Sequence, residues 1–418
     1  MKNKTKNSGI VPKLRFPAFR AFGNWDLKSL GDISAPVLDK VGELALPTVS
    51  ITAGYGFVTQ ESKFGRDISG NQYKNYILLT KGEFSYNKGN SKKYPQGCIY
   101  ELKEFEQVAA PNAFISFRLN SGYVSDFYQN LFEANHHGVQ LKKFITSGAR
   151  SNGLLNIKPE DFFSIQLPAP KESEQQKIAD CLTSLDSRIS AESEKLDALK
   201  DHKKGLMQNL FPVEGETMPK LRFKTFRDKS KWNRIELGEI FSERQETGFP
   251  DLPLLSLTAN EGIIFQSDSK RMNTSNVDKS KYLRVVPRDI AYNTMRMWEG
   301  RSAFVDREGL VSPAYTVCKP EGLTNSLFFS YYFKTPQLIR LFHKYSQGLV
   351  KDTLNLKYEN FMRILVYVPP TPEEQQAIAN CLASVDSIIV AESQKLEKLE
   401  SQKKGLMQQL FPSVNAVI

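Results

Sequence analysis

The chain has 418 residues, a hydrophobic fraction of 40% and a formal net charge of +10. This length allows two or more domains, each with its own core. Its sequence contains no apolar run of the roughly 20 residues that a membrane helix needs, and its first ten residues lack the apolar stretch of a secretory signal. We therefore expect a cytoplasmic protein with no membrane partner and four reduced cysteines, Cys98, Cys181, Cys318 and Cys381.

The positive charge is unevenly distributed along the sequence. Segment 172–204 has eight acidic and six basic residues, and segment 373–404 has six acidic and four basic ones, so the rest of the chain carries about +14. A basic surface favours a polyanionic partner, and we expect double-stranded DNA to contact the segments outside these two. A generally basic surface without a nucleic-acid partner is the alternative.

An internal repeat organises the chain. The motif Pro-Lys-Leu-Arg-Phe at 12–16 recurs at 219–223, and 171–211 matches 371–411 with 25 of 41 residues identical. Such self-similarity indicates a duplication. We predict four parts: a globular domain at 12–168, a long helix at 169–212, a second globular domain at 219–368 and a second long helix at 369–412.

The interiors of the two globular domains, 34–165 and 241–365, have diverged but keep common positions such as Tyr86-Asn87 and Tyr292-Asn293. Apolar and aromatic runs predict strands at 75–79, 113–118 and 364–368. We therefore expect two α+β domains of mixed strands and helices, with similar frameworks and different surfaces.

A strict 3,4 alternation of apolar residues marks both long helices as a coiled coil. In the second helix Thr371 is a suitable N-cap, Pro372 a suitable first residue and Glu374 completes a capping box. The predicted seam consists of Leu182, Leu185, Ile189, Glu192, Leu196, Leu199 and Lys203 in the first helix and Leu382, Val385, Ile389, Glu392, Leu396, Leu399 and Lys403 in the second.

The charged seam residues favour an antiparallel pair. A parallel pair in register places Glu192 against Glu392 and Lys203 against Lys403, whereas an antiparallel pair can place Glu192 beside Lys403 and Lys203 beside Glu392. Burying like charges costs several kcal/mol more than an opposite pair, unless these side chains reach the helix edge and have no influence. We expect two antiparallel helices of roughly 60 Å that separate the two domains about a pseudo-twofold axis.

Catalytic motifs are weak or missing in the sequence. It has neither a phosphate-binding Gly-rich loop with Lys-Ser/Thr nor the Asn/Asp-Pro-Pro-aromatic element of an adenine methyltransferase. Pro250-Asp251 with Asp268-Ser269-Lys270 only loosely resembles a nuclease metal site, and we interpret His136-His137 as a surface-loop pair. We predict no catalytic residue, no metal site and no cofactor in this chain.

The best candidates for DNA contact lie after Tyr86-Asn87 and Tyr292-Asn293 and in a second cluster before each long helix. Lys and Arg can neutralise phosphates, while Asn and Arg can bind adenine and guanine edges. The first cluster is Tyr86, Asn87, Lys88, Asn90, Lys92 and Lys93 in the first half of the chain and Tyr292, Asn293, Thr294, Arg296 and Arg301 in the second half. The second cluster is Arg150 and Asn152 in the first half and Lys351 in the second half. Solvated loops, and core tyrosines whose hydroxyls anchor the loops, are the alternatives.

The repeated motifs resemble those of the specificity subunits of Type I restriction–modification systems. They are Pro-Lys-Leu-Arg-Phe at 12–16, Trp25 with Leu30-Gly31-Asp32, the Leu-Pro-x-Pro entry at 167–170, Glu174-Gln175-Gln176 with Leu182 and Asp186, and Gly205-Leu206-Met207-Gln208 with Leu210-Phe211-Pro212.

This resemblance implies two target-recognition domains, each reading one half of a split DNA site, with helices that fix the spacer and dock two modification subunits. Those partners bind S-adenosylmethionine and methylate adenine; restriction (motor-nuclease) subunits use ATP and magnesium. Because the two recognition segments differ, we expect an asymmetric target. A stand-alone nuclease or methyltransferase, and a coiled-coil scaffold with protein-binding heads, are the competing hypotheses.

Overall fold

The computed structural model describes residues 10–89, 94–145, 155–258, 262–269, 275–276, 278–350 and 353–412. The chain forms two compact units: unit 1 comprises 1–192 and 395–418, and unit 2 comprises 193–394. Each unit therefore contains one globular segment, the beginning of one long helix and the end of the other.

The described residues of unit 1 form ten short strands. They are β1 Asp26–Ser29, β2 Ser34–Pro36, β3 Val49–Thr52, β4 Gly56–Thr59, β5 Ile77–Thr80, β6 Phe84–Asn87, β7 Cys98–Glu101, β8 Gln107–Ala110, β9 Ile115–Leu119 and β10 Gln166–Ala169. Its short α-helices are α1 Leu30–Ile33, α2 Gln60–Phe64, α3 Ser125–Glu133, α4 His136–Leu141 and α5 Pro159–Phe163, with 3-10 turns at Pro17–Phe19, Gly70–Asn75 and Lys142–Phe144. The long helix α6, Glu172–Leu210, follows.

Unit 2 repeats this set of strands. They are β11 Asn233–Glu236, β12 Phe241–Glu243, β13 Leu255–Leu257, β14 Ile263–Phe265, β15 Leu283–Val285, β16 Ile290–Asn293, β17 Ser302–Phe304, β18 Gly309–Val311, β19 Tyr315–Pro320 and β20 Leu365–Val368. The helices are α7 Ser326–Tyr332, α8 Pro336–Tyr345, α9 Tyr358–Phe361 and the long α10 Pro372–Leu410, with 3-10 turns at Lys224–Phe226, Leu237–Glu239, Gln266–Asp268 and Met297–Glu299.

The two units share one sheet topology. In unit 1 an antiparallel sheet has the order β2-β9-β6-β7, and β1-β10, β3-β4 and β5-β8 form two-stranded pairs. Unit 2 has the corresponding sheet β12-β19-β16-β17 and the pairs β11-β20, β13-β14 and β15-β18. The prediction of two α+β domains with a common framework is thus confirmed.

Three strands were predicted from apolar runs, and all three are present. The strand predicted at 364–368 is β20, and the one predicted at 113–118 is β9. The run at 75–79 becomes β5, which begins only at Ile77 because Asn75 ends a 3-10 turn. The period of apolar residues thus locates the strands to within two residues.

In each unit the described residues form two apolar clusters. One lies between the four-stranded sheet and the long helices, and in unit 1 it includes Phe411 from the end of α10, whose ring lies 5.4 Å from that of Phe127. Its counterpart in unit 2 includes Phe211 from the end of α6, stacked 4.9 Å from Tyr332. The second cluster lies beneath β3 and β5, or β13 and β15, where Val49 and Leu79 are completely buried. The core of each unit therefore includes residues from the C-terminal end of a long helix whose N-terminal part belongs to the other unit.

The predicted seam positions of α6 and α10 are all buried or half-buried, which confirms the seam. Within unit 1, Lys403 bonds Asp186 at 2.7 Å and Lys395 pairs with Glu192. From the first pair to the second, the residue number rises in α6 and falls in α10, so the two helices are antiparallel in this unit.

Unit 2 shows the same direction independently. Lys203 bonds Asp386 at 2.5 Å and Lys195 bonds Glu392 at 2.5 Å. The prediction of an antiparallel pair is therefore confirmed within each unit.

The predicted pairing of the charged seam residues is wrong. Lys403 contacts Asp186 and Glu133, not Glu192, and Lys203 contacts Asp386, not Glu392. The observed register is offset by about one heptad, which still places seam positions opposite seam positions. It also lets residues beside the seam supply the opposite charges to its lysines and glutamates. The charged residues that flank the seam therefore favour this register.

The Pro-Lys-Leu-Arg-Phe motif fastens the two helix segments of its unit together. In unit 1, Arg15 forms two 2.7 Å bonds to the buried carboxylate of Glu174 near the start of α6. The neighbouring Leu14 amide donates to the Gln409 carbonyl near the end of α10 at 2.9 Å. Because a charge-assisted bidentate pair fixes geometry as well as energy, we call this arrangement the clasp of unit 1.

The clasp of unit 2 has the same form. Arg222 holds Glu374 by bonds of 2.6 and 2.7 Å, and the Leu221 amide donates to the Asn209 carbonyl at 2.8 Å. Helix α10 begins at Pro372, as predicted. The Glu374 carboxylate, which the sequence assigned to a capping box, is bound instead by Arg222 and by the indole of Trp232.

Candidate nucleic-acid interface

The tyrosines of the two candidate regions belong to the core. Tyr86 is completely buried, its ring is stacked 4.7 Å from Phe162, and its hydroxyl donates to the Gln96 carbonyl at 2.7 Å. Tyr292 is equally buried, with its ring 5.3 Å from Phe361. Burial raises the pKa of both hydroxyls. Direct DNA contact by these two residues is therefore wrong, and the alternative of core tyrosines holds.

Asn87 and Asn293 shape the turns that follow β6 and β16. The Oδ1 of Asn87 accepts from the Gly89 amide at 2.9 Å, and the Oδ1 of Asn293 accepts from the Met295 amide at 3.0 Å. An asparagine that bonds the backbone two residues ahead stabilises a tight turn. These two residues position the loops, a role that the sequence analysis did not give them.

In each unit a residue of the first cluster bonds a described residue that follows the second cluster along the chain. The Lys88 carbonyl accepts from the Leu155 amide at 2.9 Å, and the Thr294 carbonyl accepts from the Leu356 amide at 2.8 Å. Leu155 comes three residues after Asn152 of the second cluster of unit 1, and Leu356 comes five residues after Lys351 of that of unit 2. Six of the predicted residues, Asn90, Lys92, Lys93, Arg150, Asn152 and Lys351, lie outside the described residues.

Two arginines of unit 2 share one carboxylate. Arg296 donates from Nη1 to Oε1 of Glu299 at 2.9 Å, and Arg301 donates from Nε to Oε2 at 3.2 Å. Both arginine side chains are about half exposed, at 50% and 44%. Thr294 is half-buried, and its hydroxyl donates to the Ala314 carbonyl at 2.8 Å. The predicted arginines thus form one solvent-facing group.

These arginines line an open cavity of about 330 Å³ in unit 2, together with Leu257, Thr258, Asn293 and Tyr315. Thr258 and Tyr315 come from segments that the sequence analysis did not connect with DNA. They reach the cavity because β13 and β19 bring distant parts of the chain next to the end of β16.

The corresponding position in unit 1 has different chemistry. Lys63 of α2 donates from Nζ to Ser50 Oγ at 3.1 Å and to the Ile51 carbonyl at 2.9 Å, and the same carbonyl accepts from Asn87 at 3.3 Å. Partial burial lowers the pKa of Lys63. Lys63 was not among the residues predicted from the sequence to contact DNA, because α2 lies far from Asn87 along the chain.

The histidine pair His136-His137 was wrongly interpreted as a surface loop. Both residues belong to α4 and are 3% and 1% exposed, packed against aromatic rings that include Phe411 and Tyr86. Burial lowers the pKa of each imidazole to about 4. Across the described part of the chain, no group of three or more His, Cys, Asp or Glu side chains is placed to hold a metal ion.

The described helices include none that is both long enough and apolar enough to cross a membrane. The cysteines Cys98 and Cys318 are buried free thiols, and Cys181 and Cys381 are partly exposed free thiols.

Comparison with known proteins agrees with these observations. The sequence model of the Type I restriction modification DNA specificity domain matches residues 71–201 and 229–401. The Type I restriction enzyme MjaVIII specificity subunit of Methanocaldococcus jannaschii is 24% identical over 305 residues, covering 66% of this chain and 68% of its own. The putative MjaX specificity subunit of the same organism is 22% identical over 423 residues, covering 93% of both chains.

The fold also has a counterpart among solved structures. The crystal structure of a Type I restriction–modification S subunit from M. genitalium matches with a TM-score of 0.59 at 14% identity, over 97% of this chain and 100% of that one. At this identity the similarity concerns the fold alone. Because the two family matches together cover most of the sequence, one per globular segment, the chain belongs to the family of Type I restriction–modification DNA specificity subunits.

Proposed function

We propose that each unit reads one half of a bipartite, asymmetric DNA site and that the chain directs modification and restriction subunits to it. One observation carries this proposal: the two units have the same sheet topology, but their described residues beside the turns after β6 and β16 have different side chains. Lys63 lies beside the turn of unit 1, whereas Arg296 and Arg301 follow the turn of unit 2. A common framework with unlike readers predicts unlike half-sites.

In this proposal the chain supplies recognition and its partners supply catalysis. Two modification subunits bind S-adenosylmethionine and methylate adenine, and restriction subunits use ATP and magnesium. Membership of the specificity-subunit family supports this division, and the +10 net charge suits binding to a DNA backbone. Free cysteines fit a reducing cytoplasm.

A domain exchange tests the proposal. Residues 34–165 are replaced by those of another specificity subunit, and the methylated sites are mapped in a host that also expresses the modification partner. We expect one half-site to change while the other half-site and the spacer are kept. A change in both half-sites would contradict the proposal. The matched control is the exchange of 241–365, which should change only the other half-site.

The proposal also assigns the spacer to the long helices. Each has 39 residues, or about 58 Å at 1.5 Å per residue. Insertion of one heptad in α6 after Glu192 and one in α10 after Glu392 keeps the seam in phase and lengthens the pair by about 10 Å, or roughly three base pairs at 3.4 Å each. We expect a longer spacer with unchanged half-sites; an unchanged spacer would show that the helices do not set it.

A further inference from the structure

The turn that carries the arginines of unit 2 is held rigidly. Met297 is completely buried beneath it, and the Trp298 indole donates to the Met295 carbonyl at 2.9 Å. Gly300 has φ +77°, and a Cβ there would lie 3.1 Å from Ile339, so a glycine is needed at this point. A turn fixed in this way loses little entropy when a ligand binds.

Glu299 holds the two guanidinium groups in place but accepts a hydrogen bond from one nitrogen of each. Its bond to Arg301 uses Nε, so this contact does not require the two terminal nitrogens of Arg301. The bond to Arg296 uses Nη1 alone. An arginine that reads guanine donates two parallel bonds to O6 and N7 of the base, and this geometry is compatible with the contact to Glu299.

Arg301 is also fixed through its backbone. Its carbonyl accepts from the Asn293 amide at 3.1 Å, and its amide donates to the Arg296 carbonyl at 3.3 Å. The side chain therefore starts from the edge of the sheet, at the cavity lined also by Thr258 and Tyr315. A planar guanidinium can donate two parallel bonds to a phosphate or to the edge of a base, and only the base contact carries sequence information.

Among the described residues, unit 1 has a cysteine rather than an arginine at the corresponding place. Cys98 pairs with Asn87 in the sheet of unit 1, at the position that Arg301 takes opposite Asn293. Cys98 is buried, and among the described residues a cation near Asn87 is the amine of Lys63. The ammonium of a lysine is a point charge, whereas a guanidinium offers a fixed fork of two parallel donors.

We infer that Arg301 reads a guanine in the half-site of unit 2, with Arg296 beside it and Glu299 as the residue that positions both. This inference rests on the proposed function, since it names the base that one reader recognises. Loss of one bidentate contact should reduce discrimination against the wrong base roughly 5- to 150-fold.

The test uses the full chain with its modification partner in a host whose methylated sites are sequenced. The half-site of unit 2 is the one that survives exchange of residues 34–165. Arg301→Ala removes both the charge and the fork, and we expect one guanine position of that half-site to become degenerate. Arg301→Lys keeps the charge and can still reach the guanine with one ammonium group, so it should weaken discrimination at the same position by a smaller factor. Glu299→Gln should weaken discrimination at the same position by a smaller factor. Arg307→Lys, outside the cavity and paired with Asp306, is the matched control and should change nothing.

Three results would overturn the inference. They are unchanged specificity in Arg301→Ala, an equal loss of methylation at all sites (the signature of a phosphate contact), and degeneracy in the half-site of unit 1. None of these affects the domain exchange, which can still move one half-site alone. Conversely, an exchange that alters both half-sites refutes the proposed function whatever Arg301→Ala does.

Discussion

Units 1 and 2 share the same packing of a four-stranded sheet against long helices but differ in the polar groups that they bury. In both clasps an arginine holds a glutamate that is 1% exposed, but Glu374 accepts a further bond of 3.2 Å from Trp232. The equivalent Nε1 of Trp25 is buried without an acceptor among the described residues. Unit 1, in turn, buries two histidines in its core. The comparison teaches that the framework of a duplicated fold can persist while its electrostatics diverge.

The largest effect should come from breaking the clasps. Arg15→Ala and Arg222→Ala each leave a buried carboxylate without its arginine, which costs about 3–5 kcal/mol. We expect the greater loss in unit 1, because Glu374 keeps the bond from Trp232. Chemical denaturation with hydrogen exchange at the start of α6 and α10 measures both, and exposed Arg234→Ala serves as control. Equal losses of stability in the two units would show that the bond from Trp232 to Glu374 does not compensate for the missing arginine.

Acid should destabilise unit 1 selectively. The folded pKa of His136 and of His137 is about 4, against about 6.5 when unfolded. Between these values the unfolded state binds more protons, so the free energy of unfolding falls as pH decreases, by about 1.4 kcal/mol per pH unit per histidine. At pH 5 this amounts to about 2 kcal/mol for each.

Hydrogen exchange, corrected for its intrinsic pH dependence, can follow the two units separately between pH 7 and 5. The double variant His136→Gln, His137→Gln should remove the additional pH dependence of unit 1, whatever its stability at pH 7. Parallel loss of protection in both wild-type units would argue against the histidines as the cause.

The tryptophans should respond unequally to the same substitution. Trp25→Phe and Trp232→Phe remove similar apolar area, but only Trp232→Phe removes a hydrogen bond to a carboxylate. We expect Trp232→Phe to cost about 1–2 kcal/mol more than Trp25→Phe. Midpoints of denaturant unfolding measure the difference, and a larger loss in Trp25→Phe would contradict the bonding described for the clasps.

The smallest effect concerns the helix register. A double-mutant cycle on Lys203 and Asp386, which are 25% and 35% exposed, should give a coupling of about 0.5–1 kcal/mol. A second cycle on Lys203 and Glu392 is the control and should give almost none. If the coupling appears in the second cycle instead, the register first predicted from the seam is correct.

Much of the fold can be predicted because its signals are local. The 3,4 period of residues such as Leu182 and Leu382 predicts the helices, and their charged interruptions predict the antiparallel direction. The register is different, since a seam of similar heptads has nearly the same apolar contacts after a shift of seven residues. The choice then falls to residues outside the seam, such as Asp186.

The site was predictable as a region but not residue by residue. The turns after Tyr86 and Tyr292 could be located because polar residues follow an apolar strand. The burial of the two tyrosine rings could not be predicted from the sequence, because it depends on packing partners such as Phe162 and Phe361 that lie far along the chain. Thr258 joins the arginines only through sheet topology, which the periodicity of one strand does not specify.

The clasp of unit 1 has a consequence for synthesis of the protein on the ribosome. Unit 2 is one continuous stretch, whereas unit 1 needs the segment after residue 394 to fill its core with Phe411 and to receive the bond from Leu14. The domain that is translated first must therefore be completed last, and its nascent chain exposes apolar surface while some two hundred further residues emerge. During that interval unit 1 is the part of the protein most dependent on chaperones.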